Sequence, residues 1–388
     1  NFDGREKTIS GLTSPLFDMI GPSTGIEVVT RSNIRNLRLT DAEISSNGLL
    51  AIRIYDSDIS NITLSGSIKN ATVGELIDES NNSGFLELIN DLLQGLFDDF
   101  NITSIFGEDF KYLTIGALAS EAQNSTISTV TNMVTIDVDG FSSGYSVLAV
   151  GGIVGTMLDS TINYSSNYAP INVYSTANTA TQNYYVGGIV GLVASADDDG
   201  ESAINYSYNA TSVMAGYANN SGLLTNLGQY YVGGVAGFSS ADDLTIQGSY
   251  NSGTIKSGNK YNGKTNEDGN IQGFSYGGGI IAKAKNASVT SCYNEGTIEA
   301  LGASPTTGFY WEMDGREDLV LRQTSPRNVW AYAIGDIGDG SASGLAVLDA
   351  SEDSVYMNGT MLEKDTEIQS WSWESISDYV QVSSARYS

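Results

Sequence analysis

This sequence predicts an all-β fold: a right-handed parallel β-helix (β-solenoid) with one inserted amphipathic helix and a less regular C-terminal end. Three observations carry the prediction. The first is texture. Short runs rich in Val, Ile and Tyr alternate with Gly, Ser, Thr and Asn, and the 388 residues include 44 Gly but only 5 Pro. That is the composition of many short strands joined by turns. The second is a repeated phrase: "SYNSGTI" at 249–255 returns as "CYNEGTI" at 292–298. Counted from the first apolar residue, its units begin at Ile127, Ile162, Ile204, Ile246 and Val289, at spacings of 35, 42, 42 and 43. Five residues on stands Asn132, Asn167, Asn209, Asn251 or Asn294, and four further on Ile136, Ile171, Val213, Ile255 or Ile298. The third is a second phrase alternating with the first: "AVGGIVG" (149–155), "YVGGIVG" (185–191), "YVGGVAG" (231–237) and "YGGGIIA" (276–282), preceded by a worn copy, "TIGALAS" (114–120). Constant strands joined by polar loops of variable length are the mark of a solenoid.

Along the chain, residues 1–75 read as N-terminal coils. "IRNLRLTDAEI" (34–44) and "ISNITLSGSI" (59–68) begin 25 residues apart, enough for one coil of three short strands and their turns. Residues 76–110 interrupt the pattern. In "GFLELINDLLQGLFDDF" (84–100), Phe85, Leu88, Leu92, Leu96 and Phe100 follow helical spacing, which predicts an acidic amphipathic helix. Residues 111–305 hold the two-phrase repeats. Residues 306–388 are less regular, contain all four Trp, and read as degenerate coils, a cap or a docking region.

In a stacked coil, equivalent positions lie one above another at the inter-strand spacing. An inward Asn at a constant position can therefore bond to its copies above and below, and Asn132, Asn167, Asn209, Asn251 and Asn294 are expected to form a structural ladder. The paired glycines do not read as a nucleotide loop, because the motif recurs and no Lys-Ser or Lys-Thr follows it. They permit tight turns or close backbone approach. Alternation turns Tyr208, Tyr250 and Tyr293 outward, and Tyr185, Tyr231 and Tyr276 form a second column before the glycines. These six are candidate glycan contacts, since exposed rings stack on sugars or on a partner chain; a plain cover for the sheet is the alternative. Cys292, the single cysteine, fills a slot held elsewhere by Ser165, Ser207 and Ser249 and is expected to be a buried free thiol.

Eleven Asn-x-Ser/Thr sequons are present. Ten are candidate N-glycosylation sites: Asn61, Asn70, Asn81, Asn101, Asn124, Asn163, Asn205, Asn219, Asn286 and Asn358. Asn163 and Asn205 are expected to face outward, and the eleventh, Asn209, to be buried and bare. The acidic loops at 196–202 and 265–270 offer carboxylates to calcium, but neither has EF-hand spacing, and a solvated turn is the plainer reading.

With no histidine, His general bases, Ser-His-Asp triads and His-ligated metals are excluded. A net charge of −27 repels nucleic acid and anionic lipid. No apolar run reaches transmembrane length, and the start at Asn1 rather than Met leads us to expect a processed N-terminus. No catalytic residue, cofactor or metal is called for.

The two phrases resemble the GLUG-motif family of large bacterial surface proteins and adhesins, whose name comes from the "VGGIVG"-type segment. The resemblance covers about residues 1–305 and is strongest over 145–300. "FDGREKTISGLTSPLF" (2–17) also looks like the opening coil of such proteins, and "SWSWESI" (370–376) like a worn closing one. It implies an extracellular, cell-surface β-solenoid and no catalytic residues. The expected function is a non-enzymatic structural protein, an adhesin stalk or a filament subunit assembling head to tail. The alternatives are a glycan- or host-surface-binding module and a polysaccharide-degrading β-helix enzyme.

Overall fold

The computed structural model describes residues 1–21, 31–45, 48–69, 112–139, 147–175, 183–195, 200–217, 229–241 and 243–258, with shorter stretches between 264 and 363. The helix expected at 84–100 lies outside the described residues, as do all four Trp. The described residues form a parallel β-solenoid. A full coil has a first strand, a second strand and a third, broken run. In one coil these are Val147–Gly151, Val154–Leu158 and the pieces Thr161–Asn163, Ser166–Asn167 and Ile171–Ser175. In the next they are Asn183–Gly187, Val190–Ala194, Glu201–Asn205, Tyr208–Asn209 and Val213–Tyr217. Third runs stack in an 18-stranded sheet, and the first and second strands share a 13-stranded one. In the earlier coils the third run is one long strand: Ser32–Ile44, Ser57–Lys69 and Thr126–Asp139.

Pairing is parallel and follows the repeat. Ile59, Ile127, Ile162, Ile204, Ile246 and Val289 are successive partners, and the five isoleucines are fully buried. Burying such a side chain stabilises by about 2 kcal/mol, and the column repeats the gain once per coil. Past residue 306, Ser341–Leu348 pairs parallel with Ser275–Ala284, and Ser354–Met357 with Ser288–Thr290, so part of a further coil sits on the stack.

The third run turns the same backbone corner in continuous and broken runs alike. Asn36, Asn61, Thr129, Tyr164, Tyr206 and Gly248 occupy one column, and each is left-handed, with φ between 49° and 60°. This corner turns the chain between an inward Ile and the next inward residue. Asn and Gly adopt it cheaply; Thr and Tyr do so at about 1–2 kcal/mol each, offset by the stacking of the coils.

Candidate functional site

The residues that recur most strictly lie inside. Asn132, Asn167, Asn209 and Asn251 are fully buried and Asn294 nearly so. Each Nδ2 donates to the Oδ1 of the next: Asn132 to Asn167 at 2.8 Å, Asn167 to Asn209 at 2.8 Å, Asn209 to Asn251 at 2.7 Å and Asn251 to Asn294 at 2.6 Å. All four amides point the same way along the stack. The same side chains close the local turn. Asn251 Nδ2 also donates to the Gly253 carbonyl, and the Gly253 amide donates to Asn251 Oδ1. The polar column begins at Asn132, whose partner in the preceding coil is Leu64.

The glycine phrase is the other half of this device. A Cβ added to Gly188 would lie 2.6 Å from Asn209 Cβ, one at Gly234 2.5 Å from Asn251 Cβ, and one at Gly279 2.6 Å from Asn294 Cβ. The second glycine of each pair leaves the space that the ladder asparagine across the same coil fills. Recurrence of one phrase therefore requires recurrence of the other.

A second row, of serines, was visible in the sequence only as a small-residue slot. The Ser165 amide donates to Ser207 Oγ and the Ser207 amide to Ser249 Oγ, both at 3.1 Å. Each hydroxyl in turn donates to a carbonyl two residues back, Ser165 to Asn163, Ser207 to Asn205 and Ser249 to Gln247. Cys292 ends the row as a buried free thiol, its Sγ 3.4 Å from the Ile246 carbonyl oxygen.

The tyrosine columns divide. Tyr208 and Tyr250 are half-buried on the outer face of the third run, their rings parallel at 4.7 Å. Tyr293 is paired with Tyr250 along the backbone, but its side chain lies outside the described residues. Tyr185, Tyr231 and Tyr276 are not exposed contacts: they are 1%, 6% and 3% accessible. Alternation does turn them away from the main core, yet the first and second strands fold so that their outer sides meet. Phe238 of the second strand lies 4.8 Å from Tyr185 and 5.1 Å from Tyr231, and Lys283 sits over Tyr276. A small second core fills this re-entrant corner. Their sequence neighbours Tyr184 and Tyr230 point into the main core and stack at 4.7 Å. Among the described residues, Phe2, Tyr164 and Tyr168 are exposed aromatics outside the two tyrosine columns. Tyr164 stacks on Tyr206 at 5.2 Å, and Tyr168 meets Tyr208 edge-on at 5.4 Å.

The sequon asparagines also divide. Asn124 is exposed at a left-handed corner. Asn163 and Asn205, expected to face outward, are half-buried, and Asn205 Nδ2 donates to Asn163 Oδ1 at 3.0 Å. Asn61 is exposed, but its Nδ2 donates to Glu6 Oε1 and Asn36 Oδ1. Asn209 is fully buried. Asn70, Asn81, Asn101, Asn219, Asn286 and Asn358 lie outside the described residues, as do 196–199 and 266–270 of the acidic loops.

One ionisable cluster gave no sequence signal. Glu121, 2% exposed, stands in the re-entrant corner between strands 51–55 and 154–158. It accepts from the Tyr55 hydroxyl at 2.9 Å, and Arg53 Nε lies 4.0 Å from its other oxygen. Burial pushes the Glu121 carboxyl up to about 7, against the pull of the Arg53 guanidinium and the Tyr55 hydroxyl. Burial, with the Glu121 charge, pushes the Tyr55 hydroxyl well above its ordinary range. Because the folded carboxyl titrates above its ordinary 4.5, stability from this group is complete below 4.5 and falls as pH rises to about 7. The loss is on the order of 3 kcal/mol. Glu121→Gln should match the wild-type urea midpoint at pH 4.5 and exceed it at pH 8. Equal pH dependence in the two proteins would refute this assignment.

No family model matches the chain, and no curated protein matches it. Among solved structures it is similar to a chain named IgA1 Protease, with 17% identity and a TM-score of 0.39. The match covers 74% of this chain and spans 17% of the length of that one. The fold stands on the strand pairing described above.

Proposed function

We propose that the chain is a non-enzymatic extracellular structural module, a β-solenoid stalk of the adhesin type, in keeping with its resemblance to GLUG-motif surface proteins. The observation that carries this reading is where the repeats point. Asn, Ser, Ile and Gly, the residues that recur coil after coil, face inward or fill backbone contacts, so the pattern serves stacking. A catalytic group stands once at one place, whereas these recur from coil to coil, the asparagines from Asn132 to Asn294.

A filament built head to tail is the second reading. Among the described residues, strand Phe2–Ser10 pairs only with Ser32–Ile44, and Phe2 and Met19 are exposed near it. An unpaired strand edge invites another chain. That edge is irregular, however. Gly4, Arg5 and Glu6 stand opposite Asn36 alone, and Arg5 and Glu6 are both left-handed. A charged bulge is the usual means of blunting an edge, and this favours the stalk. Negative-stain microscopy of the purified chain at rising concentration should show single short rods. Long fibres would establish the filament instead.

A further inference from the structure

The outer face of the third run differs from the rest of the molecule. From the coil at 57–69 to the coil at 243–258, five columns of outward positions, headed by Ser60, Asn61, Thr63, Ser65 and Ser67, cross five coils. None of these positions holds Asp, Glu, Lys or Arg, in a chain of net charge −27. Charge returns at the margins, with Lys69, Asp137 and Lys256 on one side and Asp58, Glu201 and Asp243 on the other. Within this neutral field stand Met133, Tyr164 and Tyr168, which are 46%, 58% and 48% exposed, and the half-buried Tyr206, Tyr208 and Tyr250.

We propose that this face binds a neutral glycan chain laid along the solenoid axis. The proposal rests on the stalk reading, since the stalk is what displays the face. Three features select the ligand. The absence of charge across the field leaves nothing to pair with uronates, sulfates or a basic peptide. Around the Tyr rings and Met133 the field is mostly hydroxyls and amides, which pair with sugar hydroxyls; a protein partner would use the same rings, and sedimentation tests for one. The groups also repeat along the axis, with Tyr rings 4.7 Å and 5.2 Å apart. A sugar unit is about as long as a coil is thick, so successive sugars meet equivalent groups.

The geometry also says how contact is made. Tyr208 and Tyr250 spend ring faces on each other, and Tyr206 packs against Tyr164 and Gly248. These rings offer edges and hydroxyls. Tyr164 is the most exposed large side chain of the field and ends its stack, so its ring is the platform for a sugar face. The amide row of Asn163, Asn205 and exposed Gln247 runs beside it and binds hydroxyls.

The test is calorimetric titration of the full chain with neutral hexasaccharides built on glucose, galactose, mannose or N-acetylglucosamine, and with a hexauronate. At least one neutral hexasaccharide should bind and the hexauronate should not. Tyr164→Asn, which keeps a residue suited to the left-handed corner, and Tyr168→Ala should each weaken binding about tenfold. Both variants should keep the wild-type melting temperature and rod shape, so failure of the face and failure of the stalk are read separately. The proposal is overturned if no neutral hexasaccharide binds at millimolar concentration, if the hexauronate binds best, or if both variants bind as wild type. It is also overturned if sedimentation shows the face occupied by a second copy, with a dimer that Tyr168→Ala abolishes.

Discussion

Asn209→Ala will lower the stability of the coils around it by about 3–5 kcal/mol, the sum of stranded polar groups and a small cavity. Asn209 is an interior member of the ladder. Its Oδ1 accepts from Asn167, and its Nδ2 donates to Asn251 and to the Thr211 carbonyl. Truncation leaves the fully buried Asn167 amide and the part-buried Thr211 carbonyl without these partners. Each buried group left unsatisfied costs about 1–3 kcal/mol. The Asn251 oxygen keeps one donor, the Gly253 amide, so it adds less.

Position along the ladder gives the internal control. Asn132 is the first amide, with Leu64 on its other side. Asn132→Leu prolongs the apolar column by one coil and leaves no cavity. The Val134 amide and carbonyl lose Asn132, while Asn167 Oδ1 keeps the Ala169 amide as a donor, so it should cost less than Asn209→Ala by about the cavity contribution. Hydrogen exchange should localise the Asn209 effect to strands 166–167, 208–209 and 250–251, since a solenoid transmits damage mainly to neighbouring coils. If both variants cost the same, or if Asn209→Ala costs under 1 kcal/mol, the ladder is not what holds these coils in register.

How far the sequence could be read depends on what each feature needs. The asparagine ladder was legible because stacking equivalent residues is itself a statement about sequence: the spacing from Asn209 to Asn251 is the spacing from coil to coil. The glycine partnership was not legible. Gly152 and Asn167 are 15 residues apart, Gly188 and Asn209 21, Gly234 and Asn251 17. Variable loops hide a contact that is constant in space. Tyr185 shows a different limit. Its recurrence before the glycines suggests an exposed column, but a column is not an exposure, and the re-entrant corner that covers it is a property of how two strands meet. The left-handed corner was half-hidden. Asn36, Asn61 and Gly248 were signals for it, while Tyr164 and Tyr206 in the same column obscured them. Glu121 is a lone acid in "GALASEAQ", and nothing local announces its burial or its pairing with Arg53 and Tyr55 of an earlier coil.

The partnership of the two phrases predicts the other large effect. Gly188→Ala should destabilise by about 3 kcal/mol or more, at or beyond the upper end for overpacking a core. The added methyl meets the Gly234 carbonyl oxygen of the next coil and, at 2.6 Å, both Cβ and Cγ of Asn209. None of these atoms is the free end of a flexible chain: one is backbone in the bend between strands Gln229–Gly233 and Ala236–Ser239, where the Gly234 amide is bonded to the next coil, and the others belong to a side chain held in the ladder. Relief therefore requires the coil to shift and the amide row to break. Backbone conformation is not at issue, since Gly188 is not among the left-handed residues. Truncating the partner should not rescue the variant, because Asn209→Ala keeps the Cβ that collides. The worn repeat supplies the control. Ala117 stands where the second glycine would be in "TIGALAS" and is fully buried, so Ala117→Gly should change stability by about 1 kcal/mol or less. Urea unfolding of the four proteins, Gly188→Ala, Ala117→Gly, the Gly188→Ala and Asn209→Ala double variant and the wild type, decides the matter. A mild Gly188→Ala, or its rescue by Asn209→Ala, would mean that the coils tolerate side chains at this contact and that the glycine phrase recurs for another reason.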